Sequence, residues 1–196
     1  KERPHLERIR ALYEELFKTK DASGRDKIYR EIDAANAQAA KSAVPNEFDR
    51  FYKNIGAEGL NAFTSDEQTV YLVNIPANRL EAWAAMEAER FKNPVFRLFQ
   101  TELETVYEEK NRSMDNAERI LNDEVEKRLY KVHPYGQQPT LGSLEHLKNP
   151  SLAKMYAFYE RWYAPNNMAI ALAGDFDRAK TLELIKRHFS SWTPRP

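Results

Sequence analysis

The sequence predicts an α+β protein in which an antiparallel sheet is covered by many helices. Three observations predict it. Apolar residues recur at helical spacing through several long segments, the first through Leu6, Ile9, Leu12, Tyr13, Leu16 and Phe17. The run Thr69-Val-Tyr-Leu-Val73 is rich in β-branched and aromatic residues and has the chemistry of a strand. The short polar link Ser65–Gln68 joins that run to the apolar stretch before it, as a hairpin would.

The elements follow in order. Residues 4–20 form an amphipathic helix with Pro4 in its first turn. Asp21 to Gly24 breaks it, and residues 25–42 form a second helix with Ile28, Ile32 and a run of alanines on one face. Val44-Pro45-Asn46 is a stop followed by an N-cap, and a short helix with Phe48, Phe51 and Tyr52 runs to Ile55. Residues 60–65 and 69–75 form two strands, and Pro76 ends the second. Asn78 caps a helix over 79–91 that turns Leu80, Trp83, Ala84 and residues 86–88 to the core. Further helices span 97–113 and 117–130. Residues 131–150, with Pro, Gly and polar residues, form an ordered loop with a helical turn. A helix over 152–163 leads to a buried third strand, 168–173, and Gly174-Asp175 turns the chain into a final helix, 177–189.

Composition bounds the function. With 196 residues the chain is long enough for one core-bearing domain. Lys plus Arg equals Asp plus Glu at 30 each, so net charge gives no support for nucleic-acid or membrane-surface binding. There is no basic stripe and no helix-turn-helix signal. The absence of cysteine excludes disulfides and thiolate metal sites. No apolar run approaches the roughly 20 residues needed to cross a bilayer. The start at Lys1, without Met or a signal-peptide pattern, is read as a trimmed or processed piece of a longer protein. The compartment stays open, with the periplasm or cytoplasm of a bacterium as the expectation.

Two segments could carry chemistry. In Glu102-Leu-Glu-Thr-Val-Tyr-Glu-Glu109 the two outer glutamates are seven apart, two helical turns, and so point to one side. Leu103 and Tyr107 can face the core. In Gly59-Leu-Asn-Ala-Phe-Thr64 a small Ala62 permits close approach to a strand edge, and the Asn61 amide can hydrogen-bond a peptide group. The four histidines, His5, His133, His146 and His188, include no pair four residues apart, the spacing that places two imidazoles on one helix face for a metal. His146 and His188 are read as surface or capping residues, and Tyr135 as a buried hydroxyl anchor.

In this order the segments 59–65, 69–71, 102–109, His133-Pro-Tyr-Gly136, Tyr163-Ala-Pro-Asn-Asn167 and Gly174-Asp-Phe-Asp177 resemble the first catalytic-type domain of the pitrilysin/insulinase family of zinc metallopeptidases. The resemblance implies that Glu109 is a protein ligand of zinc and that Glu102 lines and supports the same site. It implies that Asn61, Ala62, Phe63 and Thr64 lie on an edge strand to which a peptide substrate adds. The family's His-x-x-Glu-His motif, which supplies the other ligands and the catalytic base, is absent. The chain is therefore expected to be part of a zinc endopeptidase acting on peptides or unfolded polypeptides. Alone it is expected to be inactive and to hold no zinc, its partners being the remaining domains of the parent. Residues 1–45 are read as a helical hairpin insertion and 46–196 as the family core. An open sheet edge also admits a second copy, giving a dimer. Two alternatives stand: a non-catalytic binding or assembly subunit of the same family, and a helical interaction domain unrelated to proteolysis.

Overall fold

The computed structural model describes residues 2–44 and 46–195. The stop expected at Pro45 lies outside the described residues. The chain divides into two compact units, one of Lys1–Ala43, Thr64–Thr69 and Phe96–Leu152, the other of Val44–Phe63, Val70–Val95 and Ala153–Pro196.

The first unit is built on a helical hairpin, α1 (Arg3–Lys18) and α2 (Ala22–Ala40). Asp21 is the punctuation between them. Its carboxylate accepts the N–H of Gly24 at 2.7 Å and caps α2, which therefore starts at Ala22 rather than at residue 25. The apolar faces meet through Ile9, Leu12, Tyr13, Leu16, Ile28 and Ile32, all buried as their spacing predicts. This cluster also takes in Phe99 of α5 (Phe99–Ser113) and Leu152. Tyr13 meets Phe99 edge-on at 5.0 Å. Arg25 ties the hairpin to the chain far ahead. Its guanidinium donates to the carbonyls of Leu16 and Thr19 at the C-terminal end of α1, and to Lys148 O and Asn149 Oδ1, at 2.8 to 3.0 Å. The unit is completed by α6 (Ala117–Leu129), the single turn α7 (Pro134–Gln137) and α8 (Leu144–Lys148).

The second unit contains α3 (Glu47–Asn54), α4 (Leu80–Lys92), α9 (Leu152–Trp162, from its second residue) and α10 (Arg178–Phe189). Buried on α4 are Ala84, Ala88 and Phe91. Phe91 stacks on Trp192 and meets Tyr71 edge-on. The centre is polar. Glu87 is only 6% exposed, accepts the Tyr52 hydroxyl and pairs with Arg90. Arg90 lies over the rings of Phe48, Tyr71 and Phe91 at 4.4 to 4.8 Å. Burial and the bond to Glu87 push the Tyr52 phenol well above its ordinary pKa, so it stays a donor.

The strands β1 (Glu58–Thr64) and β2 (Thr69–Asn74) form a two-stranded antiparallel sheet joined by the Ser65–Gln68 turn. The α+β class holds, with a smaller sheet than expected. Residues 168–173 are not a strand. Met168 is extended and Ile170 is 44% exposed, but no ladder partner lies among the described residues. Extended backbone becomes a strand only when its N–H and C=O groups are paired, and that depends on tertiary neighbours rather than on the local run. Two caps also differ. Asn46 occupies the N-cap of α3 with a left-handed backbone and no side-chain bond. Asn78 lies inside a 3-10 turn, Ala77–Arg79, and does not cap α4.

Much apolar surface stays in water. On α6, Leu121, Val125 and Leu129 form an exposed stripe at four-residue spacing, and on α9 Met155, Phe158 and Trp162 form another at three- and four-residue spacing. The accessible area is 14180 Å² for 22.9 kDa.

Two stability predictions follow from the cores. Leu12→Ala removes a fully buried side chain and is expected to cost about 2–5 kcal/mol in urea unfolding. Glu87→Ala strands the buried Tyr52 hydroxyl and leaves the half-buried Arg90 guanidinium without its carboxylate, and is expected to cost about 3 kcal/mol. Tyr52→Phe, which leaves the Glu87–Arg90 pair intact, is expected to cost about 1–2 kcal/mol.

Candidate functional site

Helix α5 begins after Leu98, a non-glycine residue held at φ 53° in the left-handed region. Its apolar side is fixed by Phe99, buried, and Leu103, packed on the hairpin cluster. The ring of Tyr107 lies under the ammonium of Lys148 at 5.6 Å. With that side fixed, Glu102 and Glu109 emerge along one flank, about 10 Å apart along the axis, with half-buried Val106 between them. Both carboxylates are exposed. Among the described residues no group of three or more His, Cys, Asp or Glu side chains gathers to hold a metal. Two of the histidines are seen in other settings. His133 caps α7, its Nδ1 accepting the N–H of Tyr135 at 3.4 Å. His188 has a buried Nε2 without a hydrogen-bond partner among the described residues, 3.9 Å from Glu81.

Every residue of β1 is exposed. The turn bond from Ser65 N–H to Gln68 O, with Thr64 Oγ1 against Thr69 Oγ1 at 3.3 Å, sets the register. Antiparallel pairs alternate, so the backbone groups of Phe63 and Asn61 point to β2, and those of Thr64, Ala62 and Leu60 point away from it. The Ala62 N–H accordingly takes no part in the ladder. It donates to Asn61's own Oδ1 at 2.8 Å. The Asn61 side chain thus occupies an edge donor that an added strand would use. Gly59, at φ 61°, needs to be glycine for its backbone, and a Cβ there would stand 3.3 Å from Asn74 Nδ2.

The turn residues Asp66 and Glu67 accept from Thr140 Oγ1, at 3.2 Å, and from the Tyr135 hydroxyl. Tyr135 is thus an anchor, but half-buried rather than buried. Sequence reasoning read the turn as a polar link and missed the acceptors. Two adjacent acids at a hairpin tip were the available signal. It placed residues 86–88 at the core but did not single out the Glu87 carboxylate as a buried polar centre.

The fold is α+β, and it is shared with a known protease. A solved structure of a protease from Helicobacter pylori superposes with a TM-score of 0.67 at 27% identity, covering 76% of this chain and 37% of that one. Residues 18–141 match the family described as Insulinase (Peptidase family M16), and residues 150–196 match the Peptidase M16 inactive domain. An uncharacterized zinc protease of Mycobacterium leprae is 32% identical over 139 residues, 70% of this chain and 31% of that protein. The zinc protease PqqE of Helicobacter pylori is 27% identical over 179 residues, 87% of this chain and 39% of that protein. The chain belongs to the insulinase family of peptidases, a family whose relatives here are zinc proteases. It spans 31% and 39% of the lengths of these two relatives.

Proposed function

We propose that this chain is part of a zinc-dependent endopeptidase that hydrolyses peptides or unfolded polypeptides. The observation that carries the proposal is the match of residues 18–141 to a peptidase family, with Glu109 exposed on the helix flank it shares with Glu102. Glu109 is the metal ligand and Glu102 supports the site. The donor chemistry fits one position of such a centre, since zinc accepts a carboxylate beside imidazoles and keeps an open position for water. Zinc held by such a set of donors would supply Lewis acidity and acidify a water towards neutral pH. A single carboxylate does not retain zinc, so the chain alone is inactive, and the other ligands and the base come from a His-x-x-Glu-His motif elsewhere in the parent.

The edge of β1 bears the substrate. Thr64, Ala62 and Leu60 turn their backbone groups away from β2, to an edge that an extended peptide recognises with little regard to its side chains. Asn61 shields the Ala62 N–H until a peptide displaces its amide, and Phe63 and Thr64 continue the same strand. No helix among the described residues is long and apolar enough to cross a membrane. A second reading, a non-catalytic subunit of the same family, is favoured by the match of residues 150–196 to an inactive domain. The complete gene separates the two, because it either encodes the His-x-x-Glu-His motif or lacks it.

Titration calorimetry of the isolated chain is expected to show no stoichiometric sub-micromolar zinc binding, and such binding would overturn the one-ligand assignment. In the complete protein Glu109→Gln is expected to lose metal and activity together. Glu102→Gln is expected to lose roughly 10–100-fold, as a supporting residue does. At the edge, Ala62→Pro deletes an outward N–H and leaves the ladder to β2 intact, so it is expected to raise KM for an extended peptide with unchanged circular dichroism. Asn61→Pro deletes an inward donor and is expected to damage the hairpin itself.

A further inference from the structure

A two-stranded hairpin is marginal in water. This one has no buried residue on β1, so apolar packing of that strand does not hold its tip. The tip is held from outside. Tyr135 Oη donates to the Glu67 carboxylate, and Thr140 Oγ1 donates to Asp66 Oδ1 at 3.2 Å. Both acceptors are adjacent turn residues, and both donors come from the segment between α6 and α8.

The donor side is itself rigid. The Tyr135 ring meets those of Tyr130 and His133 edge-on, at 5.4 and 4.4 Å, which restricts the phenol to one direction. Gly136, next in the chain, leaves no room for a side chain. A Cβ there would stand 2.3 Å from the Tyr130 carbonyl oxygen and 2.8 Å from that of Glu126. The turn α7 is therefore seated on the end of α6 at backbone contact, and Tyr135 projects from a fixed base.

We infer that Tyr135 is a positioning residue for β1: its hydroxyl pins the Asp66–Glu67 turn, and the hairpin ladder carries that restraint to the outward edge at Thr64 and Ala62. This rests on the reading of that edge as the place where a peptide lies. Tyr135 acts through the hairpin, with Thr140 as the second fastening. The bond to Glu67 also holds the Tyr135 phenol above its ordinary pKa, which supplies a spectroscopic signature.

Hydrogen exchange of this chain, resolved by mass spectrometry over residues 58–74 and over α1–α2, tests the inference. Tyr135→Phe is expected to speed exchange in the hairpin about 3- to 10-fold, the effect of one lost hydrogen bond, and to leave α1–α2 unchanged. Glu67→Ala is expected to do the same, and the double variant no more than either alone. Glu67→Gln is expected to keep protection, because its amide oxygen still accepts a phenol O–H. In Glu67→Ala the phenol titration is expected to fall back towards its ordinary value. In the complete protein, Tyr135→Phe is expected to raise KM for a fluorogenic extended peptide and to leave kcat within about twofold. Unchanged hairpin exchange in Tyr135→Phe overturns the inference, as do additive single effects, equal acceleration in α1–α2, or a fall in kcat at constant KM. The exchange arm needs neither zinc nor proteolysis. A complete protein that keeps full activity as Glu109→Gln would instead sink the peptidase assignment and leave the hairpin result standing.

Discussion

The packing of α5 against the α1–α2 hairpin is the constraint on which the first unit depends. A helix with Glu102, Glu104, Glu108, Lys110 and Arg112 has no strong preference for its own orientation. Phe99 and Leu103 set it by entering the cluster of Ile9, Leu12, Tyr13, Leu16, Ile28 and Ile32. Each of these buried side chains contributes about 1.5–3 kcal/mol relative to exposure. Rotation of α5 would have to give up several such contributions at once, so the direction of Glu102 and Glu109 is inherited from residues far earlier in the chain. The Arg25 fan closes the same arrangement from the other end, because the carbonyls it satisfies belong both to the end of α1 and to the 148–149 segment.

The second unit solves a different problem with a charge. Glu87 would be costly if it stood alone in a nearly dry position. Tyr52 and Arg90 meet it on two sides, and Arg90 is in turn enclosed by three aromatic rings. The arrangement specifies geometry more sharply than an apolar cluster could, since hydrogen bonds and an ion pair are directional. It links α3 to α4 by a bond whose loss leaves a polar group without water or partner.

Helices were legible because their signal is local. Spacing alone placed the helices of both units within a few residues of where they lie, and located the buried face of the hairpin residue by residue. Strands were legible only where a turn closed them. Thr69–Val73 has a neighbour four residues away, whereas 168–173 has the same apolar character and no partner among the described residues, so it stays unpaired. Glu109 and Asn61 are exposed, as their spacing and strand position allow, and the roles proposed for them rest on the order of motifs along the chain. The Glu67–Tyr135 bond joins residues 68 apart and no local pattern encodes it.

The wet apolar stripes on α6 and α9 have a calorimetric consequence. The heat capacity of unfolding measures apolar surface newly exposed to water, about 12–15 cal/mol/K per residue in ordinary domains. Leu121, Val125, Leu129, Phe158 and Trp162 are already hydrated in the native state and add little to it on unfolding. The increment per residue is therefore expected to be lowered, with a correspondingly flatter dome of stability against temperature. Burial of these stripes by further chain would steepen the dome, so its curvature reads out how much of them is covered.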